Sequence, residues 1–226
     1  MASIRSVDLS ESLLTTPDSV PFDCVSARRM GECALFLCAL GFEERCLSVP
    51  TALTKCGAKF KKAVYLQYAS TQQDNAVNRP PLEALLRKIA PTVYPLDFDS
   101  DDADVQLRNL LEGLCGEPDD RRSIAFDLSV ACNRFVFRTL REIFAADVLL
   151  ELLYSEAAQY HPTRSEYQEN RARLISDPQF GTEHGVAEVV TLSGFPGRHL
   201  DPLPDCVLLF PTFKPYRSQA VLSFID

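Results

Sequence analysis

Between residues 33 and 155, the chain alternates short apolar runs with amphipathic stretches of helical period. Parallel strands need a crossover long enough to hold a helix, and the intervals between these runs have that length. The alternation therefore predicts an α/β fold, with a doubly wound parallel sheet between helices. Right-handed crossovers leave few topologies, of which we favour the Rossmann-like strand order 3-2-1-4-5.

The elements of this domain are predicted from apolar spacing. The five strands are predicted at about 34–40, 63–68, 93–96, 124–128 and 148–154. The helix before strand four is expected to bury Val105, Leu107, Leu110, Leu111 and Leu114. The helix after it is expected to bury Phe135, Phe137, Leu140 and Phe144.

The flanking segments have a different pattern. Residues 1–32, broken by Pro17 and Pro21, are predicted to form an N-terminal arm, and residues 33–155 the Rossmann-like domain. Residues 156–226 are predicted to be a C-terminal extension packed on the same sheet. It would contain a short helix opened by a capping box at 163–166, a strand at 186–192, and an antiparallel hairpin of residues 206–210 and 220–225. The hairpin could pair with a second copy of the chain or with a partner subunit.

Composition limits the classes of function. The net charge of -8 argues against bulk nucleic-acid or anionic-membrane binding. No apolar run approaches the ~20 residues of a membrane span, and the start of the chain does not resemble a signal peptide. Several of the eight cysteines lie in apolar runs and none forms a C-x-x-C pair, so we expect reduced thiols and a cytoplasmic location. The three histidines are not spaced with cysteines as ligands are, so no metal site is predicted.

Two polar turns follow predicted strands one and four. In a 3-2-1-4-5 sheet the carboxyl ends of these strands flank the point where the winding reverses, and ligands bind there. We therefore predict one ligand site formed by both turns. Its predicted ligand-binding residues are Gly41, Glu43, Arg45, Asp127, Ser129, Asn133, Arg134 and Tyr154. Tyr68, Asp74, Ser155 and Glu156 would line its rim.

Residue types suggest a role for each group. The guanidinium groups of Arg45 and Arg134 match phosphate or carboxylate, and Ser129 could help the following helix to hold an anion. Carboxylates could accept ribose hydroxyls or act as a general base. The candidates for such a catalytic role are Glu43, Glu44, Asp127 and Glu156. In the alternative interpretation, Glu43–Arg45 and Asp127–Arg134 are ion pairs that only stabilise the turns.

Other patterns are less specific. Cys132 and Arg138 have the C-x5-R spacing of a phosphatase loop, without the glycines that such a loop needs, and Cys46 is a weak nucleophile candidate. The segment 154–162 either closes a nucleotide pocket by stacking or is a plain turn. The absence of G-x-G-x-x-G and G-x-x-x-x-G-K-[ST] disfavours ordinary dinucleotide dehydrogenases and P-loop enzymes.

The turn Gly41-Phe42-Glu43-Glu44-Arg45, together with Phe126-Asp127-Leu128-Ser129, resembles an uncharacterised bacterial family of Rossmann-like proteins with a G-F-E-x-R turn after strand one. The layout is also loosely similar to CRISPR-associated Rossmann-fold (CARF) sensor domains. That resemblance implies cyclic-oligonucleotide binding by the loops after strands one and four, and a role in defence. After strand four, those domains usually carry Thr-Gly-Gly-Thr before a basic residue. This chain has the hydroxyl of Ser129 and the basic residue Arg134 there, but it lacks the glycines.

Three functions are compatible with these observations. The first is a sensor-like module that binds a small phosphorylated or nucleotide-like ligand, with no further cofactor. The second is an enzyme that acts on a nucleotide or sugar phosphate, such as a hydrolase or ribosyl transferase. The third is a non-catalytic interaction subunit that uses the C-terminal hairpin.

Overall fold

A computed structural model describes residues 33–68, 72–114, 122–160, 162–176 and 215–225. Its strands are β1 (Leu35–Ala39), β2 (Lys62–Gln67), β3 (Thr92–Asp97), β4 (Ser123–Asp127) and β5 (Leu149–Leu153). They form one five-stranded, all-parallel sheet in the order β3-β2-β1-β4-β5. The predicted α/β fold and strand order are confirmed.

Helices occupy the crossovers between these strands, and further helices follow β5. A 3-10 turn (Glu44–Leu47) leads into α1 (Ser48–Lys55), and α2 (Gln72–Asn75) precedes α3 (Arg79–Ile89). The later helices are α4 (Ala103–Glu112), α5 (Asn133–Ala145), α6 (Arg164–Ser176) and α7 (Pro215–Ile225). Just after α1, Gly57 has φ +71°, the left-handed conformation that favours glycine at a helix end.

The centre of the sheet is β1, whose five residues are all buried. It pairs with β2 on one side and with β4 on the other, so that Leu35 lies between Lys62 and Ile124. Because β1 and β4 are parallel neighbours, both strands end at the same edge of the sheet. The winding of the chain reverses between them, as the predicted site requires.

Both faces of the sheet are packed, which explains why β1 is apolar at every position. Phe36 and Cys38 belong to the core that includes side chains of α1 and α3. Leu35 and Leu37 belong to the opposite core, which includes side chains of α4 and α5. The alternation follows from the period of two along a strand.

The predicted inward face of α5 is wrong in part. The helix buries Phe135, Thr139, Glu142 and Ile143, whereas Phe137 and Phe144 are exposed. The buried positions repeat every three to four residues from Phe135, so helical geometry determines them and the spacing of the phenylalanines does not. Val105 of α4 is likewise exposed, whereas Leu107, Leu110 and Leu111 of the same helix are buried as predicted.

Ion pairs between α4 and α5 explain how the carboxylate of Glu142 can be buried. Its carboxylate accepts a hydrogen bond from Arg108 at 2.9 Å and also pairs with Arg141. Asp104 of α4 in turn accepts from Arg138 at 2.6 Å and from Arg141 at 2.8 Å. A buried carboxylate is costly unless it is paired, and these arginines supply the pairing.

Two details predicted for residues 156–226 can be compared with the structure, whereas packing of this extension on the sheet stays a prediction. The capping box is present, because the Thr163 N–H donates to Glu166 at 2.7 Å and the Glu166 N–H donates to Thr163 Oγ at 3.3 Å. The predicted strand at 220–225 is wrong, because those residues lie in α7. Proline has the φ that a first helical turn needs, and the short run at 220–225, apolar except for Ser223, fits either structure. The arm at 1–32 and the predicted strands at 186–192 and 206–210 lie outside the described residues.

No helix in the described ranges has both the length and the apolar character needed to cross a bilayer.

The burial of α5 predicts unequal effects of two phenylalanine substitutions. Phe135 contacts the rings of Tyr68, Phe98 and Phe126, so Phe135→Ala should lower the free energy of unfolding by about 3–5 kcal/mol. Phe144→Ala should change it by less than about 0.5 kcal/mol, because that side chain is 70% exposed. Urea unfolding measures both, and equal losses would contradict the orientation of α5.

Candidate functional site

The turn after β1 and the loop after β4 are in direct contact. A Cβ atom on Gly41 would lie 3.1 Å from Cβ and Cγ2 of Val130, closer than side chains normally pack. Glycine therefore allows close approach of the two segments, and a larger residue would require Val130 to shift by a few tenths of an ångström. The contact joins the two turns from which the sequence predicted a single site.

Two asparagines hold the turn after β1 from the other side. Asn78 Nδ2 donates to the Gly41 carbonyl at 2.9 Å, and Asn75 Nδ2 donates to the Leu40 carbonyl at 3.4 Å. Both asparagines are buried, and neither was predicted as a site residue. Their only sequence signal is a polar segment between β2 and α3, which does not show that the side chains reach β1.

Arg45 connects the end of β1 to the end of β5. Its guanidinium pairs with Glu43 at 3.1 Å, donates to the Tyr154 hydroxyl at 3.4 Å and donates to the Ser155 carbonyl at 3.3 Å. Since β4 lies between β1 and β5, this side chain spans the edge of three strands. The Glu43–Arg45 ion pair of the alternative interpretation is present, but it accounts for only part of the contacts of Arg45.

Asp127, the last residue of β4, is a buried carboxyl group beneath this edge. Its side chain is 2% exposed, and Oδ1 accepts the Ser129 N–H at 2.9 Å and the Ser129 hydroxyl at 2.5 Å. Burial raises its pKa to about 6, although the hydrogen bonds from Ser129 and the charge of Arg45 act in the opposite direction. Its protonation state therefore changes close to neutral pH.

Ser129 extends these contacts to the loop after β5. Its hydroxyl donates to Asp127 and accepts the Ser155 N–H at 2.8 Å. The Ser155 carbonyl accepts from Arg45, so a continuous chain of contacts joins Arg45, Ser155, Ser129 and Asp127. We refer to these four residues as the Arg45–Asp127 chain. In this arrangement the Ser129 hydroxyl orders the loops, and its predicted contact with an anion stays a prediction.

A second group of side chains lies at the carboxyl end of β2 and in the loop before α5. The Tyr68 hydroxyl is in hydrogen-bond contact with the Cys132 thiol. Burial and this contact raise the pKa of Tyr68, and the charge of Arg134 acts to lower it. Arg134 therefore acts electrostatically on Tyr68, whereas the arginine whose charge acts on Asp127 is Arg45. The suggested Asp127–Arg134 ion pair is not the contact that holds Asp127.

The remaining predicted residues lie at the surface of this edge. Asn133 is the exposed first residue of α5, and Asp74 is exposed in α2. Among the catalytic candidates, Glu44 and Glu156 are exposed, and Glu43 is 43% exposed and paired with Arg45. Asp127 is the one candidate of the four that is buried.

The cysteine interpretations are not supported. Arg138 of the C-x5-R pattern is held by Asp104 at 2.6 Å and lies 4.1 Å from the centre of the Phe98 ring, so it is unavailable to a phosphate beside Cys132. Burial raises the pKa of the Cys46 thiol, which weakens it as a nucleophile. Within the described residues, no three His, Cys, Asp or Glu side chains cluster as metal ligands would.

Comparison with known proteins gives no family: no family model matches the chain, and no curated protein has a significantly similar sequence. The geometry at the carboxyl edge of the sheet is therefore the basis on which function can be inferred.

The buried carboxyl predicts a specific dependence of stability on pH. With a folded-state pKa near 6 and an ordinary value of 3.8, Asp127 keeps its proton in the folded protein where the unfolded chain has lost it. Its contribution to stability must therefore fall as pH rises through this window. Relative to wild type, Asp127→Asn should gain about 2 kcal/mol in free energy of unfolding between pH 4 and pH 7.

Chemical denaturation of both proteins at several pH values measures this difference. The other carboxylates are common to both proteins, so their titration cancels in the comparison. A difference that does not change with pH would contradict the raised pKa of Asp127.

Proposed function

We propose that this protein is a sensor-like, Rossmann-type module that binds a small phosphorylated or nucleotide-like ligand at the carboxyl ends of β1 and β4. The observation that carries the proposal is the guanidinium of Arg45, held at this edge by Glu43 of its own turn and by Tyr154 and Ser155 of the loop after β5. A planar fork fixed in this way matches the oxygens of a phosphate.

The ion pair with Glu43 does not prevent binding. Arg45 is 18% exposed and Glu43 is 43% exposed, and ion pairs that reach solvent contribute at most about 1 kcal/mol. A charge-assisted hydrogen bond to phosphate contributes more, about 1.5–3 kcal/mol. An anion can therefore displace the Glu43 carboxylate, while Ser155 and Tyr154 keep the guanidinium oriented.

The overall charge favours a small ligand over a polymer. The chain carries a net charge of -8, so a long polyanion would be repelled by most of its surface. A single phosphorylated molecule can meet Arg45 without that repulsion. A cytoplasmic location, a role in defence and pairing with a second subunit stay predictions.

One observation favours an enzyme as the second candidate. A general base works best with a pKa near the operating pH, and burial brings Asp127 to about 6. A carboxyl group with a raised pKa is typical of catalytic sites, and Asp127 lies where the winding of the sheet reverses. If the protein hydrolyses or transfers part of a nucleotide or sugar phosphate, Asp127 would act on it after Ser129 moves aside. Incubation with nucleotides and sugar phosphates followed by phosphorus NMR would reveal a product, which Asp127→Asn should abolish.

Substitution of Arg45 tests the proposed ligand site. Calorimetric titration with inorganic phosphate, pyrophosphate, ribose 5-phosphate and AMP should find at least one that binds wild type. Arg45→Ala should weaken its binding at least about tenfold, which is the loss expected for one charge-assisted contact. Arg45→Lys should recover part of the affinity, because the charge remains without the fork.

Arg87→Ala is the matched control. Arg87 also pairs with a glutamate, Glu83, at 2.6 Å, but it lies in the last turn of α3, at the far edge of the sheet. Its removal should leave binding unchanged. Absence of binding by every probe, or equal binding by wild type and Arg45→Ala, would refute the proposal.

A further inference from the structure

We infer that the ligand carries a flat aromatic ring as well as its phosphate, and that this ring stacks on Tyr154 beside Arg45. The inference rests on the proposed function and narrows it from phosphorylated compounds in general to nucleotides. Its basis is an arrangement of exposed aromatic side chains around the guanidinium.

Tyr154 and Tyr160 present large ring surfaces to solvent where the chain leaves β5. They are 57% and 56% exposed, and their hydroxyl groups are hydrogen-bonded to each other at 2.8 Å. The hydroxyl contact restrains both side chains, so the exposed rings lose little further freedom when a ligand covers them. Pre-ordered aromatic surface of this kind binds flat rings at low entropic cost.

Arg45 places the anion contact beside this aromatic surface. Its guanidinium carbon lies over the Tyr154 ring, 5.9 Å from the ring centre, and the group also donates to the Tyr154 hydroxyl. Tyr154 is still 57% exposed, so a ligand bound to Arg45 through phosphate has the ring surface that Arg45 leaves uncovered within reach of its base. A sugar phosphate or pyrophosphate would leave that face uncovered.

Phe42 provides aromatic surface at the turn after β1. It is 72% exposed, directly follows Gly41 and lies three residues before Arg45. Exposed aromatic side chains thus belong to both loops that Arg45 connects. Stacking is tolerant of base identity, so the arrangement selects nucleotides as a class.

The experiment compares AMP with ribose 5-phosphate, which share the phosphate and the sugar and differ in the base. Wild type should bind AMP about tenfold more tightly, as expected for one stacked base. Tyr154→Leu should remove this preference by weakening AMP binding about tenfold more than ribose 5-phosphate binding, because loss of the hydroxyl that accepts from Arg45 affects both compounds and loss of the ring affects AMP alone. Tyr160→Leu is a second variant that should reduce the preference in the same direction.

Phe144→Leu is the control, since it also replaces an exposed aromatic residue but lies near the end of α5, at the opposite edge of the sheet. It should leave both affinities unchanged, and thermal melting verifies that each variant folds. Saturation-transfer NMR should show stronger saturation of the adenine protons than of the ribose protons.

The outcomes separate this inference from the proposed function. Equal affinities of wild type for AMP and ribose 5-phosphate would overturn the stacking inference and leave the phosphate site intact. If Tyr154→Leu weakens the binding of AMP and of ribose 5-phosphate equally, the stacking inference is also overturned, because Tyr154 would then only position Arg45. If neither compound binds and pyrophosphate also fails, the proposed function falls and the inference with it.

Discussion

The direct pairing of β1 with β4 is the constraint on which the candidate site depends. The register that places Leu35 beside Ile124 brings the ends of both strands to one edge and leaves their helices on opposite faces. The contact between Gly41 and Val130 follows from that pairing, as does the reach of Arg45 to the loop after β5. A sheet with another strand between β1 and β4 would separate these groups, and no common ligand site would exist.

The Arg45–Asp127 chain contains a carboxyl group whose burial opposes stability. Asp127 is buried at the end of β4, and its hydrogen bonds from Ser129 do not fully offset the loss of hydration, because its pKa remains raised. By contrast, the buried Glu142 is held by arginines, and its pKa is lowered. The two carboxylates therefore have opposite effects on the stability of the fold. Glu142 links α4 to α5 and stabilises it, whereas burial of Asp127 destabilises it, which a role in the candidate site would explain.

Much of the fold could be predicted because apolar runs and crossover lengths determine a parallel sheet. The position of the candidate site was predicted from the strand order together with the polar turns after strands one and four. The inward face of α5 could not be read from its phenylalanines, since the arginines that neutralise Glu142 come partly from α4. Apolar spacing also could not distinguish a strand from a helix at 220–225. The roles of Asn75 and Asn78 depend on contacts between distant segments, which local patterns do not encode.

Amide chemical shifts during titration with AMP test most directly whether the loops form one site. We predict that amides at 41–46, at 127–130 and at 154–156 shift together, with a single dissociation constant. Amides at the other edge of the sheet, such as those of Gly57, Ala90 and Ala146, should not move. Shifts confined to one loop, or centred on the other edge, would contradict a shared site at the ends of β1 and β4.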